Sequence, residues 1–228
     1  MPNRQADLSA KVGRDVQSLR TRALRMAGLA EAILDKSLRA TWSRDARLAE
    51  EVVGDDLEID RIDLEIDHAV LNTLALRAPV ASDLRQVLAI KTMATDLERV
   101  GDLARNIAGC ARRLIERAPV TPPPMLRVLA DDSQRALARA IQAFADLDSQ
   151  QARAVLSDDD SIDTTEDRVI RQAIGQIHAD PSLSEQQIDL IFIAKNLERV
   201  ADHATNIAED VVLAAESLNL KHVEKLSH

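Results

Sequence analysis

The 228 residues predict an all-α protein, a tandem pair of antiparallel three-helix bundles related by internal duplication. Three observations carry that reading. Apolar residues recur at intervals of three and four over long stretches, the spacing of one helix face. Aromatic residues make up only 1% of the chain and there are six Gly, which starves a β-sandwich, while Ala, Leu, Arg and Glu abound, residues that favour helix. Finally, "LERVGDLARNIA" at 97–108 returns as "LERVADHATNIA" at 197–208, identical at nine of twelve positions.

The periodicity predicts helices near 6–41, 44–77, 82–117, 124–152, 157–178 and 184–218. A helix of thirty residues is about 45 Å long, so these are rods. The first, containing "ADLSAKVGRDVQSLRTRALRMAGLAEAIL", offers Leu24, Met26 and Leu29 as core. The second ends at "RAPVASD" (77–83), where Ser82 is the expected N-cap of the third. The third carries Leu97, Val100, Ala104, Ile107, Ala108 and Ala111 on one face. "RAPVTPPP" (117–124) breaks the chain through Pro119, Pro122, Pro123 and Pro124, and divides it into repeats at 1–118 and 119–228. In the second repeat "HADPSLSE" (178–185) stands where "RAPVASD" stood, and Ser184 with Gln187 spells a capping box. The sixth helix repeats the apolar face as Leu197, Val200, Ala204, Ile207 and Ala208.

Composition narrows the function. A net charge of −9 argues against nucleic acid as the partner, since duplex binding needs a basic face. The single cysteine, Cys110, excludes an intrachain disulfide and reads as a small buried thiol in an apolar helix. The opening "MPNRQADLSAKV" has no apolar core of a signal peptide, and no run approaches the roughly 20 apolar residues of a membrane span. A cytoplasmic protein is expected.

Outside the repeated dodecamer the halves have drifted: "IDRIDLEIDHAV" (59–70) aligns with "IDTTEDRVIRQA" (162–173) mainly through its Ile-Asp start. A recent duplication therefore does not explain the dodecamer. Burial explains its apolar positions only, yet the polar ones match too: Glu98/Glu198, Arg99/Arg199, Asp102/Asp202 and Asn106/Asn206. Glu98, Asp102 and Asn106 fall four residues apart in one stripe of a helix. Like charges at that spacing cost about 0.2–0.5 kcal/mol, so a positive charge is expected between them.

Three sources of it stand side by side. One is a salt-bridge network, with Arg99 reaching Asp96 or Asp102 and further arginines from a neighbouring helix. Another is a metal ion, magnesium, manganese or iron, with zinc as a further option, held by carboxylate and amide oxygens. One helix supplies too few ligands, so the facing second helix of each half must add acids. These are Asp56, Asp60, Asp63 and Asp67 in the first half and Asp159, Asp163 and Glu166 in the second. Small residues at 101/201, 104/204 and 108/208 would admit that helix closely. The third source is a protein partner's Arg or Lys. Metal is the favoured reading, with Glu98, Asp102, Asn106, Asp60, Glu198, Asp202, Asn206 and Asp163 as ligands.

"ASDLRQVLAI…DLERVGDLARNIA" followed by "NLERVADHATNIAED" resembles the PhoU family of accessory regulators of bacterial phosphate uptake. The resemblance covers nearly the whole chain and is most specific at Asp83-Leu84-Arg85 and the two ERVxD segments. It implies six helices, multinuclear metal sites at the motifs and a homodimer. It also implies a damping of the phosphate-starvation response, through the phosphate transporter's ATPase subunit and a sensor histidine kinase, the membrane being met only through them. Two asymmetries depart from a perfect repeat: Asn196 stands for Asp96, and His203 for Leu103. His203 is either a ligand for a softer metal or a surface cap.

Two other classes compete. A carboxylate-bridged di-metal bundle enzyme needs two Glu-x-x-His pairs, and the chain has one, Glu65-x-x-His68, which reads as surface. No phosphate-binding G-xxxx-G-K-[ST] loop, H-E-xx-H helix or G-x-S-x-G elbow is present, and His178, His222 and His228 read as exposed. An enzyme is not expected. A purely structural helical oligomer would leave the doubled polar stripe without a cause.

Overall fold

A computed structural model describes residues 4–218, with side chains for all of these except 4–9 and 159. His222 and His228 lie outside the described residues. The helices are α1 (Arg4–Ser43), α2 (Ala46–Arg77), α3 (Ala81–Glu116), α4 (Pro124–Asp146), α5 (Ser149–Leu156), α6 (Asp159–Ala179) and α7 (Ser184–Glu216), with a 3₁₀ turn at Pro181–Leu183. Among the described residues there is no strand. In the first half α1, α2 and α3 pack together; in the second α4, α7 and the α5–α6 pair do so, and α3 lies along α7.

The turn between α1 and α2 depends on two residues. Arg44 adopts a positive φ of 54°, and Asp45 then accepts the Arg47 and Leu48 amides. The Arg44 guanidinium donates to the carbonyls of Ile115 at 3.0 Å and Arg117 at 2.9 Å, satisfying the open end of α3. α2 stops where Ala78 turns left-handed ahead of Pro79.

The same turn recurs unannounced in the second half. The stretch expected as one helix over 124–152 is cut, because Leu147 takes φ 51° and Asp148 caps α5 through the Gln150 and Gln151 amides. Asp148 stands to α5 as Asp45 stands to α2, in the register that pairs Ile162 with Ile59. The α5–α6 pair is thus the counterpart of α2, broken at Ser157-Asp158 where α2 runs on through Gly54-Asp55. An alanine-rich sequence hid a turn made by a single capping aspartate.

The two serines expected as caps do other work. α3 begins at Ala81 behind Val80, with no side-chain cap, and Ser82 lies inside its first turn. Ser184 is the first residue of α7, and its hydroxyl donates back to the Pro181 carbonyl at 2.6 Å, so no capping box forms with Gln187. Asp180 provides the cap one turn earlier, accepting from the Ser182 amide and hydroxyl.

One core runs through both halves, with Leu97, Val100 and Ile107 and their repeats Leu197, Val200 and Ile207 all buried. Met26 is buried, while Leu24 and Leu29 pack at its edge. Cys110 is a buried free thiol whose pKa burial pushes up to about 11. No described helix is long and apolar enough to cross a membrane.

Candidate metal centres

Each half brings carboxylates from two facing helices to one place. In the first, Glu98 and Asp102 of α3 meet Asp60 and Asp63 of α2. Burial raises the Glu98 carboxyl, Asp102 raises it further, Arg99 opposes, and Asp60 and Asp63 add to the rise. In the second, Glu198 and Asp202 of α7 meet Glu166 and Asp163 of α6. Burial, then Asp202 and Glu166, push Glu198 up to about 7 against the pull of Lys195, with Asp163 adding. Asp60 and Asp163, and likewise Asp63 and Glu166, are counterparts in the register that pairs Ile59 with Ile162. The acid cluster is therefore duplicated in three dimensions, not only along the chain.

Basic side chains reach into the first cluster. Arg105 donates to Asp56 and Asp102, both at 2.5 Å, and Arg99 stands 3.2 Å from Asp102 and 3.4 Å from Glu98. Lys91 lies 2.5 Å from Asp67 and 3.7 Å from Asp63. The Arg99–Asp102 pair is the one the spacing predicts. The second arginine comes from α3 itself rather than from a neighbouring helix. Asp56 is 1% exposed, and burial raises its carboxyl despite Arg105. Its Oδ1 makes no hydrogen bond and presses on Gly101, where an added Cβ would lie 2.7 Å away. Position 101 is thus small because α2 comes so near. In the second cluster Lys195 stands 2.7 Å from Glu166. The Asp159 side chain lies outside the described ones.

The donor set fits a hard cation. All donors are oxygens on facing helices, and the buried Asp56 Oδ1 makes no hydrogen bond, while Asp63 Oδ1, Asp67 Oδ1 and Glu166 Oε1 are met by the ammonium groups of Lys91 and Lys195. As the side chains stand, no three His, Cys, Asp or Glu among the described residues converge on one metal position. The rotamers are those of an ion-pair network.

Asn106 and Asn206 turn away from the acids to the seam between the halves. Asn106 donates to Asn196 at 3.4 Å and Asn206 to Asp96 at 3.3 Å, while His203 Nδ1 lies 2.8 Å from the same Asp96 oxygen. Further along, Arg113 and Arg117 grip Asp189, each at 2.6 Å. Partners rise in number along α3 as they fall along α7, so the two helices run antiparallel about a pseudo-two-fold axis near Gly101 and Ala201. Positions 96 and 196 therefore distinguish the two ends of this seam rather than the two acid clusters, and His203 is a seam residue. Glu65 and His68 are exposed on α2. Lys91, Arg105, Lys195 and Asp189 went unread in the sequence; only Arg105 had a local signal, three residues after Asp102.

A helical tandem repeat with a buried-edge acid cluster in each half defines the class. The PhoU domain family matches residues 23–111 and again 126–211, and the chain belongs to that family. The phosphate-specific transport system accessory protein PhoU homolog of Zymomonas mobilis is 35% identical over 201 residues, covering 88% of this chain and 85% of that one. The homolog of Pseudomonas aeruginosa is 30% identical, with 95% and 90% covered. The crystal structure of PhoU from Pseudomonas aeruginosa superimposes with a TM-score of 0.86 at 30% identity, covering 90% of this chain and 99% of that one. That of the phosphate transport system regulatory protein PhoU from Streptococcus pneumoniae also gives 0.86, at 26% identity, with 92% and 99% covered.

Proposed function

We propose that this chain is a non-enzymatic accessory regulator of phosphate uptake, whose two acid clusters hold metal ions. The observation that carries the reading is the duplication of the cluster in space: Glu98, Asp102, Asp60 and Asp63 answer to Glu198, Asp202, Asp163 and Glu166. A bound iron, manganese, zinc or magnesium ion, or a group of them, supplies the positive charge that relieves repulsion among these acids. Glu98 and Asp102 then tie α3 to α2, as Glu198 and Asp202 tie α7 to α6. Asp60 and Asp163 complete the ligand sets from the facing helices. Asn106 and Asn206 reach an ion only by leaving the seam.

The names of the relatives support the phosphate-transport role. On this reading the protein works in the cytoplasm, as a homodimer, between the ATPase subunit of a phosphate transporter and a sensor histidine kinase. It represses the starvation response while phosphate is plentiful, and it meets the membrane only through those partners.

Elemental analysis of protein purified without a metal-affinity column tests the metal sites. Wild type is expected to hold tightly bound metal that the Asp102→Asn/Asp202→Asn variant loses; equal metal in both would overturn the assignment. Deletion of the gene tests the regulation: starvation genes should stay on in rich phosphate, and continued repression would refute the role.

A further inference from the structure

The two ends of the α3–α7 seam are equivalent by the repeat and opposite in chemistry. At one end an open groove of about 520 Å³ is lined by four cations, Arg105, Arg113, Lys195 and Arg199, and by no carboxylate. The repeat places Thr205, Leu213, Thr95 and Arg99 at the corresponding positions of the other end, so three of the four cations have no counterpart. Gly109 leaves the groove floor open where the other end carries Glu209. The basic groove is thus not a by-product of duplication, and it sits on a chain of net charge −9.

The cations are held in place. Arg105, Arg113 and Lys195 each meet a carboxylate outside the groove lining, and these acids are 1%, 4% and 7% exposed: Asp56, Asp189 and Glu166. Arg199, exposed on α7, is the fourth cation of the lining. Arg105 and Arg113, fixed in this way, lose little further freedom on meeting an anion, which they would meet through the N–H donors their carboxylates leave free. The amides of Asn106 and Asn196 add neutral donors and acceptors beside them. At the rim stands Phe192, one of three aromatic residues in the chain, 52% exposed. An exposed ring beside fixed cations is the pairing that stacks a base and holds its phosphates. The volume falls in the range of small-molecule sites, about 300–1,000 Å³, and exceeds what lone orthophosphate fills.

From this arrangement we infer that the groove binds a phosphorylated small molecule, a nucleoside phosphate, with its phosphates on Arg113, Lys195 and Arg199 and its base on Phe192. The groove borders both acid clusters, since Arg105 is held by Asp102 of the first and Lys195 by Glu166 of the second.

Isothermal titration calorimetry on the full chain, in a chelating buffer so that the metal reading plays no part, tests it with ATP, AMP, adenosine, pyrophosphate and orthophosphate. ATP is expected to bind, more weakly as salt rises, and adenosine to give no heat. Arg199→Glu should lower ATP affinity by about tenfold or more. Arg135→Glu, the same change of charge on the exposed surface of α4, should leave it unchanged. Phe192→Ala should lower ATP affinity by about tenfold and leave pyrophosphate unaffected. Pyrophosphate binding as tightly as ATP, with Phe192→Ala silent, would keep the phosphoryl ligand and make its source inorganic. No heat from any phosphorylated anion at millimolar concentration, or full affinity in an Arg199→Glu protein of native circular dichroism, would overturn the inference.

Discussion

The two acid clusters share a backbone motif and differ in how their charge is met. In the first, Lys91, Arg99 and Arg105 reach five carboxylates. In the second, Lys195 reaches Glu166 and Thr205 stands in place of Arg105. The consequence is visible at the matched glutamates. Both are raised by burial and by neighbouring acids, but Glu198 is pushed to about 7, where a proton begins to supply the missing charge near neutrality. A duplicated motif thus copies the ligands without copying their electrostatic setting.

The largest test converts one cluster toward the other. Arg105→Thr leaves Asp56 buried without its guanidinium; removing one partner of a fully buried pair costs about 3–5 kcal/mol, and the half-exposed arginine places this case near 3. A fall in the urea midpoint measures it, and an unchanged midpoint would contradict the buried pair. Gly101→Ala copies residue 201 into the first half and forces Asp56 Oδ1 away from a Cβ 2.7 Å distant. An overpacking loss of about 1–2 kcal/mol is expected on the same readout.

The pH dependence probes the second cluster in chelator. The Glu198 carboxyl ordinarily titrates at 4.5 and in the fold at about 7, so its stabilising contribution is full below 4.5 and is lost as pH rises through about 7. The thermal midpoint of wild type should therefore fall across that window relative to Glu198→Gln, and parallel curves would contradict the raised carboxyl. The smallest effect belongs to the exposed arginines. Arg99→Ala should cost under about 1 kcal/mol and Arg199→Ala nothing measurable in stability, since half-exposed pairs are screened by water.

Much of this was legible in the residues. Long apolar periodicities and proline clusters place the rods and the joint at 117–124, and the dodecamer marks the helices that carry the acids. The turn at Leu147-Asp148 was not legible, because a lone capping aspartate in an alanine-rich stretch looks like one more polar helix residue. Ser82 and Ser184 misled for the complementary reason: a serine after proline resembles a cap whether or not the backbone opens there.

The sequence by itself determined that Glu98, Asp102 and their repeats lie on one face of a helix, since spacing along a rod is a local property. Only the tertiary structure decided what that face meets. The rotation of α2 against α3 buries Asp56 on Gly101 and under Arg105, and the antiparallel fit of α3 on α7 draws Asn106 and Asn206 into the seam. The same fit collects Arg113, Lys195 and Arg199 at one end, residues from two helices far apart in the chain. Registers between helices are set by how whole side-chain surfaces interlock, and no periodicity read along one chain contains them.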